Sequence, residues 1–157
     1  MITVLGSLIG PLYLLAVAIP LARIDLREHR LPNRLVLPAI PITIIGQALA
    51  SLSIFSWWRS LTALIAAAIA FGLTLLVNRT GALGMGDVKL ITAISLALAW
   101  FSPMAPAVAL LIGFAAATAV ILILLAARKT KLGARIPLGP YLLTGFVGAL
   151  PFSFFGF

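Results

Sequence analysis

From Leu90 to Ala126 the chain carries no charged residue. About 20 residues of helix cross a hydrocarbon core, so this run is too long for one span. Pro103 and Pro106 divide it, predicting a short helix to about Phe101 and a longer one from about Pro106 to Ala126. Uncharged runs of similar character cover Ile2 to Ala22, Leu35 to Phe55, Ser60 to Val77 and Ile136 to Phe157. With 63% of residues hydrophobic and 9% charged, no soluble packing could hide so much apolar surface. The expected fold is all-α, a polytopic integral membrane protein of about six transmembrane helices. No internal repeat and no long linker divides it, so residues 1–157 are expected to form a single membrane-embedded domain.

The basic residues follow the loops between these runs. Arg23, Arg27, Arg30 and Arg34 occupy the first loop. Arg79 lies in the third, with Lys89 just inside the helix that follows, and Arg128, Lys129, Lys131 and Arg135 fill the fifth. Arg59, beside Trp57 and Trp58, is the single basic residue of the even loops. Cytoplasmic loops carry the excess of Lys and Arg, so the odd loops are expected in the cytoplasm and both termini outside. The formal net charge of +8 is thus a topology signal, and no nucleic-acid partner is expected. The paired tryptophans fit an interfacial belt, and the basic cluster of the fifth loop can also meet anionic membrane lipids. Gly6 and Gly10 have the spacing that lets helices pack closely, although glycine is common in membrane helices for other reasons. The opening Met1-Ile2-Thr3 lacks the basic start of a cleaved signal peptide, and none is expected.

Chemistry has few residues to draw on. Cysteine is absent and His29 is the sole histidine, which excludes a thiolate nucleophile, a cysteine zinc site and an HExxH pattern. The acidic residues are Asp25, Glu28 and Asp87. Asp25 falls in the polar connection from Arg23 to Arg34, and Asp87 at or near the N-cap of the fourth helix, behind Gly84 and Gly86. The predicted topology puts both on the cytoplasmic face. A carboxylate at the edge of a membrane segment is costly and marks a candidate functional site. Two carboxylates brought together cannot both ionise cheaply, so they can share a proton. One can then activate water while the other protonates a carbonyl oxygen or a leaving amine, with no metal, cofactor or covalent nucleophile. Taken singly, Asp25 reads as a solvated loop charge among arginines and Asp87 as an ordinary capping residue. Glu28 and His29 read as loop residues, and Lys89 as a local counter-charge or headgroup contact. The alternative from another class is a small proton- or cation-coupled transporter using the same aspartates. Against it, no carboxylate sits midway along the fifth or sixth span. Gly81, Gly84 and Gly86 are expected to form a flexible stretch able to admit an extended chain.

Three segments together carry a resemblance: Asp25 followed by Arg30-Leu31-Pro32-Asn33, then Gly84-Met85-Gly86-Asp87-Val88-Lys89, then Pro137-Leu138-Gly139-Pro140-Tyr141. In that order they resemble the type IV prepilin peptidase family. The resemblance implies a membrane aspartic endopeptidase that removes the leader of prepilin or pseudopilin substrates at the cytoplasmic face of the inner membrane. Asp25 and Asp87 would be its catalytic pair. Arg30, Pro32, Asn33, Gly84, Gly86, Lys89, Pro137, Gly139 and Pro140 would be the loop-motif or substrate-binding residues, with no cofactor and no metal. Longer members add a cytoplasmic domain, often with paired cysteines, and methylate the new pilin end. That activity is not implied here, and the short form is similar to the peptidases of Tad-type pilus systems and to archaeal prearchaellin peptidases. Presenilin-like proteases share the Gly-x-Gly-Asp element but add a Pro-Ala-Leu motif that this sequence lacks.

Single cysteines introduced at Thr80 and at Ser56 should label from opposite sides of the membrane, Thr80 from the cytoplasm. Labelling of both from one side would break the six-span arrangement.

Overall fold

The computed structural model describes residues 2–55, 57–128 and 137–155. Ser56, the basic residues Lys129, Lys131 and Arg135, and Ile136 lie outside the described residues. Seven helices follow one another: α1 (Ile2–Glu28), α2 (Asn33–Val36), α3 (Ala39–Ile54), α4 (Trp58–Arg79), α5 (Met85–Ala99), α6 (Ala105–Ala126) and α7 (Gly139–Phe155). No strand occurs among the described residues. The chain is an all-α polytopic membrane protein. Four stretches are long and apolar enough to cross a membrane: Thr3–Glu28, Asn33–Ile54, Trp58–Arg79 and Ala105–Ala126. The remaining long helices, α5 and α7, have 15 and 17 residues.

The expected spans match these helices except at the ends, and the ends matter. Asp25 is not in a loop: α1 continues through Pro11 and Pro20 to Glu28, which puts Asp25 in its last turns. No helix-breaking residue follows Pro20 until Pro32. The helix stops because His29 turns left-handed, at φ 52°, while its N–H bonds back to the Asp25 carbonyl at 2.9 Å. The second expected span is also divided, by a turn at Leu37 and Pro38 between α2 and α3.

The helices pack chiefly as three pairs, α1 with α3, α4 with α5, and α6 with α7. Small residues bring the members together. A Cβ on Gly6 would stand 2.7 Å from the Gly46 carbonyl oxygen, and one on Gly46 would strike the Gly6 carbonyl in turn. Gly10 lies against Thr43, so the Gly6/Gly10 spacing is a packing face. Gly113 and Gly145 serve α6 and α7 in the same way, a Cβ on Gly113 meeting the Tyr141 carbonyl oxygen at 2.9 Å.

Helix α5 is the axis of the assembly and touches each of the other helices. Leu90, Ile91, Ala93, Ile94 and Ser95 to Trp100 are all buried, as expected of a helix apolar on every side. The outward faces of the surrounding helices carry exposed Leu, Ile and Phe, such as Leu12, Ile19, Leu73, Leu111 and Ile123, which suits contact with lipid tails. At about 1.5 Å per residue, α5 is about 22 Å long, shorter than a hydrocarbon core of about 30 Å. The last four carbonyls of a helix lack a helical donor, and in α5 these begin at Leu96. Gln47 of α3 answers one of them, its Nε2 donating to the Leu96 carbonyl at 2.8 Å.

Two glycines of the bundle should respond oppositely to substitution. Gly46→Val should lower the melting temperature sharply, since the nearest atom to the added side chain is the Gly6 carbonyl oxygen, which cannot yield. Gly72 of α4 has nothing within 4 Å of an added Cβ. Gly72→Ala should leave stability unchanged or raise it by up to about 1 kcal/mol through helix propensity. Thermal melts of the two variants in one detergent check both expectations.

Candidate active site

The end of α1 and the starts of α5 and α7 meet at one end of the bundle. Asp25, near the end of α1, is 4% exposed. Its Oδ2 accepts a hydrogen bond of 2.8 Å from the backbone N–H of Gly139, the first residue of α7. A Cβ on Gly139 would stand 2.7 Å from that same oxygen, so a bare backbone is required for the bond to form. Pro140 follows in the first turn of α7, where a missing N–H costs nothing, and Pro137 precedes the helix. The Leu138 carbonyl accepts from Tyr141 and Leu142 and starts the helix just behind the bond to Asp25.

Asp87 sits three residues inside α5. The N-cap is Gly84, extended at φ −72° and ψ 148°, and Val88 N–H bonds to its carbonyl at 3.2 Å. Asp87 is thus at N3 and not at the N-cap, the position from which an acidic side chain reaches back over the helix start. A Cβ on Gly84 would be 3.0 Å from Asp87 Oδ2. Burial pushes the Asp87 carboxyl up from its ordinary 3.8 to about 6; the nearby Asp25 charge adds to the rise, and the Gly84 backbone amide opposes it. The two aspartates therefore act on one another. Only Gly81 of the glycine stretch has a positive φ, 78°; Gly84 is extended and Gly86 is helical.

Between these elements runs the segment from Arg30 to Leu35. Pro32, extended at φ −69° and ψ 125°, is the N-cap of α2. Asn33 opens that helix and accepts a hydrogen bond from Lys89 Nζ at 2.9 Å, tying α2 to α5. Tyr13 of α1 donates to the Leu35 carbonyl at 3.0 Å and holds the other side. Arg30 is exposed and paired with Glu28 at 2.7 Å. Leu31 turns inward. A Cβ on Gly86 would be 2.9 Å from the Leu31 Cβ, and one on Gly139 would be 3.0 Å from its Cδ2. Among the described residues no three His, Cys, Asp or Glu side chains stand close enough to hold a metal ion.

Residues 12–127 match the model of the type IV leader peptidase family. The chain belongs to that family. The match takes in both aspartates and stops short of the Pro137–Tyr141 segment. Comparison with curated proteins and with solved structures gave no match. Membership of a peptidase family removes the ground for reading the chain as a transporter.

In this leader peptidase family member, two features of the site are not assigned by the motifs. The contact between Gly139 and Asp25 joins residues 114 apart in the chain, and no local pattern announces it. Leu31 did leave a trace, as an apolar residue between arginine and proline in an otherwise polar connection.

The raised Asp87 pKa has a consequence for stability. The folded protein holds this proton up to about pH 6, whereas the unfolded chain releases it near 3.8. Stability from this group is therefore present at low pH and lost as pH rises between those values. Asp87→Asn cannot titrate, so its melting temperature should gain on the wild type from pH 4 to pH 7, by the equivalent of at most about 3 kcal/mol. Melting curves across that range check the sign.

Proposed function

We propose that this family member is a membrane aspartic endopeptidase that cleaves the leader from prepilin-like substrates, with Asp25 and Asp87 as the catalytic pair. The observation that carries the reading is the meeting of the two aspartates at one end of the bundle, each held by backbone from a motif glycine. Asp25 lies against the Gly139 amide and Asp87 against Gly84. A like charge nearby and partial burial are the conditions under which two carboxyls keep one proton between them. Asp87, raised to about 6, is suited to carry it in mildly acidic solution and to release it as the pH nears neutrality.

In the proposed reaction, water binds between the carboxyls. The ionised one removes a proton from it as its oxygen attacks the scissile carbonyl carbon, while the protonated one gives its proton to the carbonyl oxygen. The tetrahedral intermediate then collapses, the C–N bond breaks, and the nitrogen leaves with a proton returned by the pair. The Gly139 amide occupies Asp25 Oδ2 and leaves the other oxygen for water. No step calls for a metal or a cofactor, and no methyl transfer is included. One membrane-embedded peptidase domain accounts for the whole reaction.

The proposed location is the inner membrane with the aspartates at the cytoplasmic face. The end of the bundle that carries them also carries Arg23, Arg27, Arg30, Arg34, Arg79 and Lys89, as the positive-inside rule requires of a cytoplasmic end. A leader on the cytoplasmic side of a membrane-held helix would meet the aspartates at that level.

Asp25→Asn and Asp87→Asn should each abolish cleavage of a prepilin while the protein stays folded in detergent. Chelators and serine- or cysteine-directed reagents should leave the wild type active. Normal processing by either variant, or metal-restorable loss with a chelator, would defeat the assignment.

A further inference from the structure

The contacts of Leu31 have a use beyond filling space. Its Cβ fills the place that a side chain on Gly86 would take, one residue before Asp87. Its Cδ2 fills the place that a side chain on Gly139 would take, on the residue bonded to Asp25. Leu31 is 9% exposed, and it reaches both glycines from a segment pinned on two sides, by Lys89 to Asn33 and by Tyr13 to the Leu35 carbonyl. The three segments that carry the site thus meet at one apolar side chain: the end of α1 with its following loop, the start of α5 and the start of α7.

We propose that Leu31 is a positioning residue that sets the separation of Asp25 from Asp87 and keeps water from loosening the pair. The proposal rests on the peptidase reading for its catalytic consequence and on packing alone for its physical one. The clearance is small on both sides. At Gly86 the crowding atom is the Leu31 Cβ, fixed to the backbone, so the start of α5 cannot move toward the loop. At Gly139 it is the flexible end of the side chain, backed by Asp25 Oδ2. Removing the end of Leu31 opens space beside the Gly139–Asp25 bond and leaves the backbone contact with Gly86 in place. The expected outcome is a hydrated, wider pair with its segments still folded.

Asp87 should sense that change, because its environment is defined by burial and by Asp25. The other charged or titratable groups at this end belong to the elements packed on α5 and the loops beside them. They are Arg23, Arg27 and His29 of α1 and its end, the Glu28–Arg30 pair, Arg34 of α2, Arg79 of α4, Arg128 after α6 and Tyr141 of α7. Lys89 of α5 itself is engaged with Asn33. Leu31→Ala changes none of them, so a moved titration would report the spacing and hydration of the pair.

The chain helps the test, since Asp25 and Asp87 are its only aspartates. Full-length protein grown with carboxyl-labelled aspartate should give two titrating carbon resonances, assigned through Asp25→Asn and Asp87→Asn. Leu31→Ala should move the Asp87 titration to lower pH by about one unit, as hydration and distance relieve both causes of its rise. Leu31→Met, of similar volume, should restore it. On a prepilin, Leu31→Ala should lose about tenfold in kcat with KM little changed, and the alkaline limb of its pH profile should move the same way. An Asp87 titration unmoved by Leu31→Ala, or moved equally by Leu31→Met, overturns the proposal. If Leu31→Ala fails to fold, Leu31→Val takes its place, with a smaller shift in the same direction expected and no shift counting against it. The titration decides the spacing claim by itself. Wild-type protein that titrates as described yet cleaves no prepilin would count against the peptidase reading alone.

Discussion

Helix α5 has to be buried on every side, and the other helices are arranged by that requirement. The segment from Leu90 to Trp100 carries no charge and is buried almost throughout, so it has no face to give to water. Packing α1, α3, α4, α6 and α7 about it turns their own apolar outer faces toward lipid. Close approach is then bought with glycine and alanine at the contacts, Gly6 and Gly46 on one side, Gly113 and Gly145 on another. Because α5 is central, whatever stands at its first turn is reached by the ends of its neighbours. That places Asp87 among the end of α1, the start of α7 and the Arg30–Leu35 segment. The position of the site follows from the packing of the most hydrophobic part of the chain.

Much of this was legible in the sequence, and the reasons differ by feature. The helices could be read because charge is so rare here that each charged cluster marks a boundary. That Asp25 and Asp87 stand at one end of the bundle could be anticipated, because the basic residues assign their connections to one side. What local patterns could not supply was depth. Four arginines surround Asp25 in sequence and point to a loop, yet α1 runs on past it and buries it. The helix stops only where His29 adopts a left-handed backbone, a conformation that histidine does not advertise. The place of Asp87 at N3, within the first turn, has a similar origin. Gly84 can start a helix from an extended conformation with no side chain to signal it.

The motif glycines also change meaning once they are seen in place. In a sequence, Gly84 and Gly86 suggest a chain free to bend. In the fold, each is the absence of an atom at a crowded point: beside Asp87 Oδ2, beside Leu31 and, for Gly139, beside Asp25 Oδ2. Glycine there gives proximity more than mobility. Two carboxyls can be held near one another only if the backbones that carry them approach more closely than side chains allow.

The hydrogen bond from Gln47 to the Leu96 carbonyl gives this arrangement a vertical scale. Helix α5 is shorter than a hydrocarbon core, so its length alone does not fix how high it stands. Its far end is instead moored to a side chain of α3, about two and a half turns below Asp87. The level of the aspartate is therefore measured from inside the protein, and a bilayer that thins or thickens around the bundle leaves that measurement alone. A bond to be cut has to be brought to a level set within the bundle, by the packing of α5 and by its mooring to Gln47.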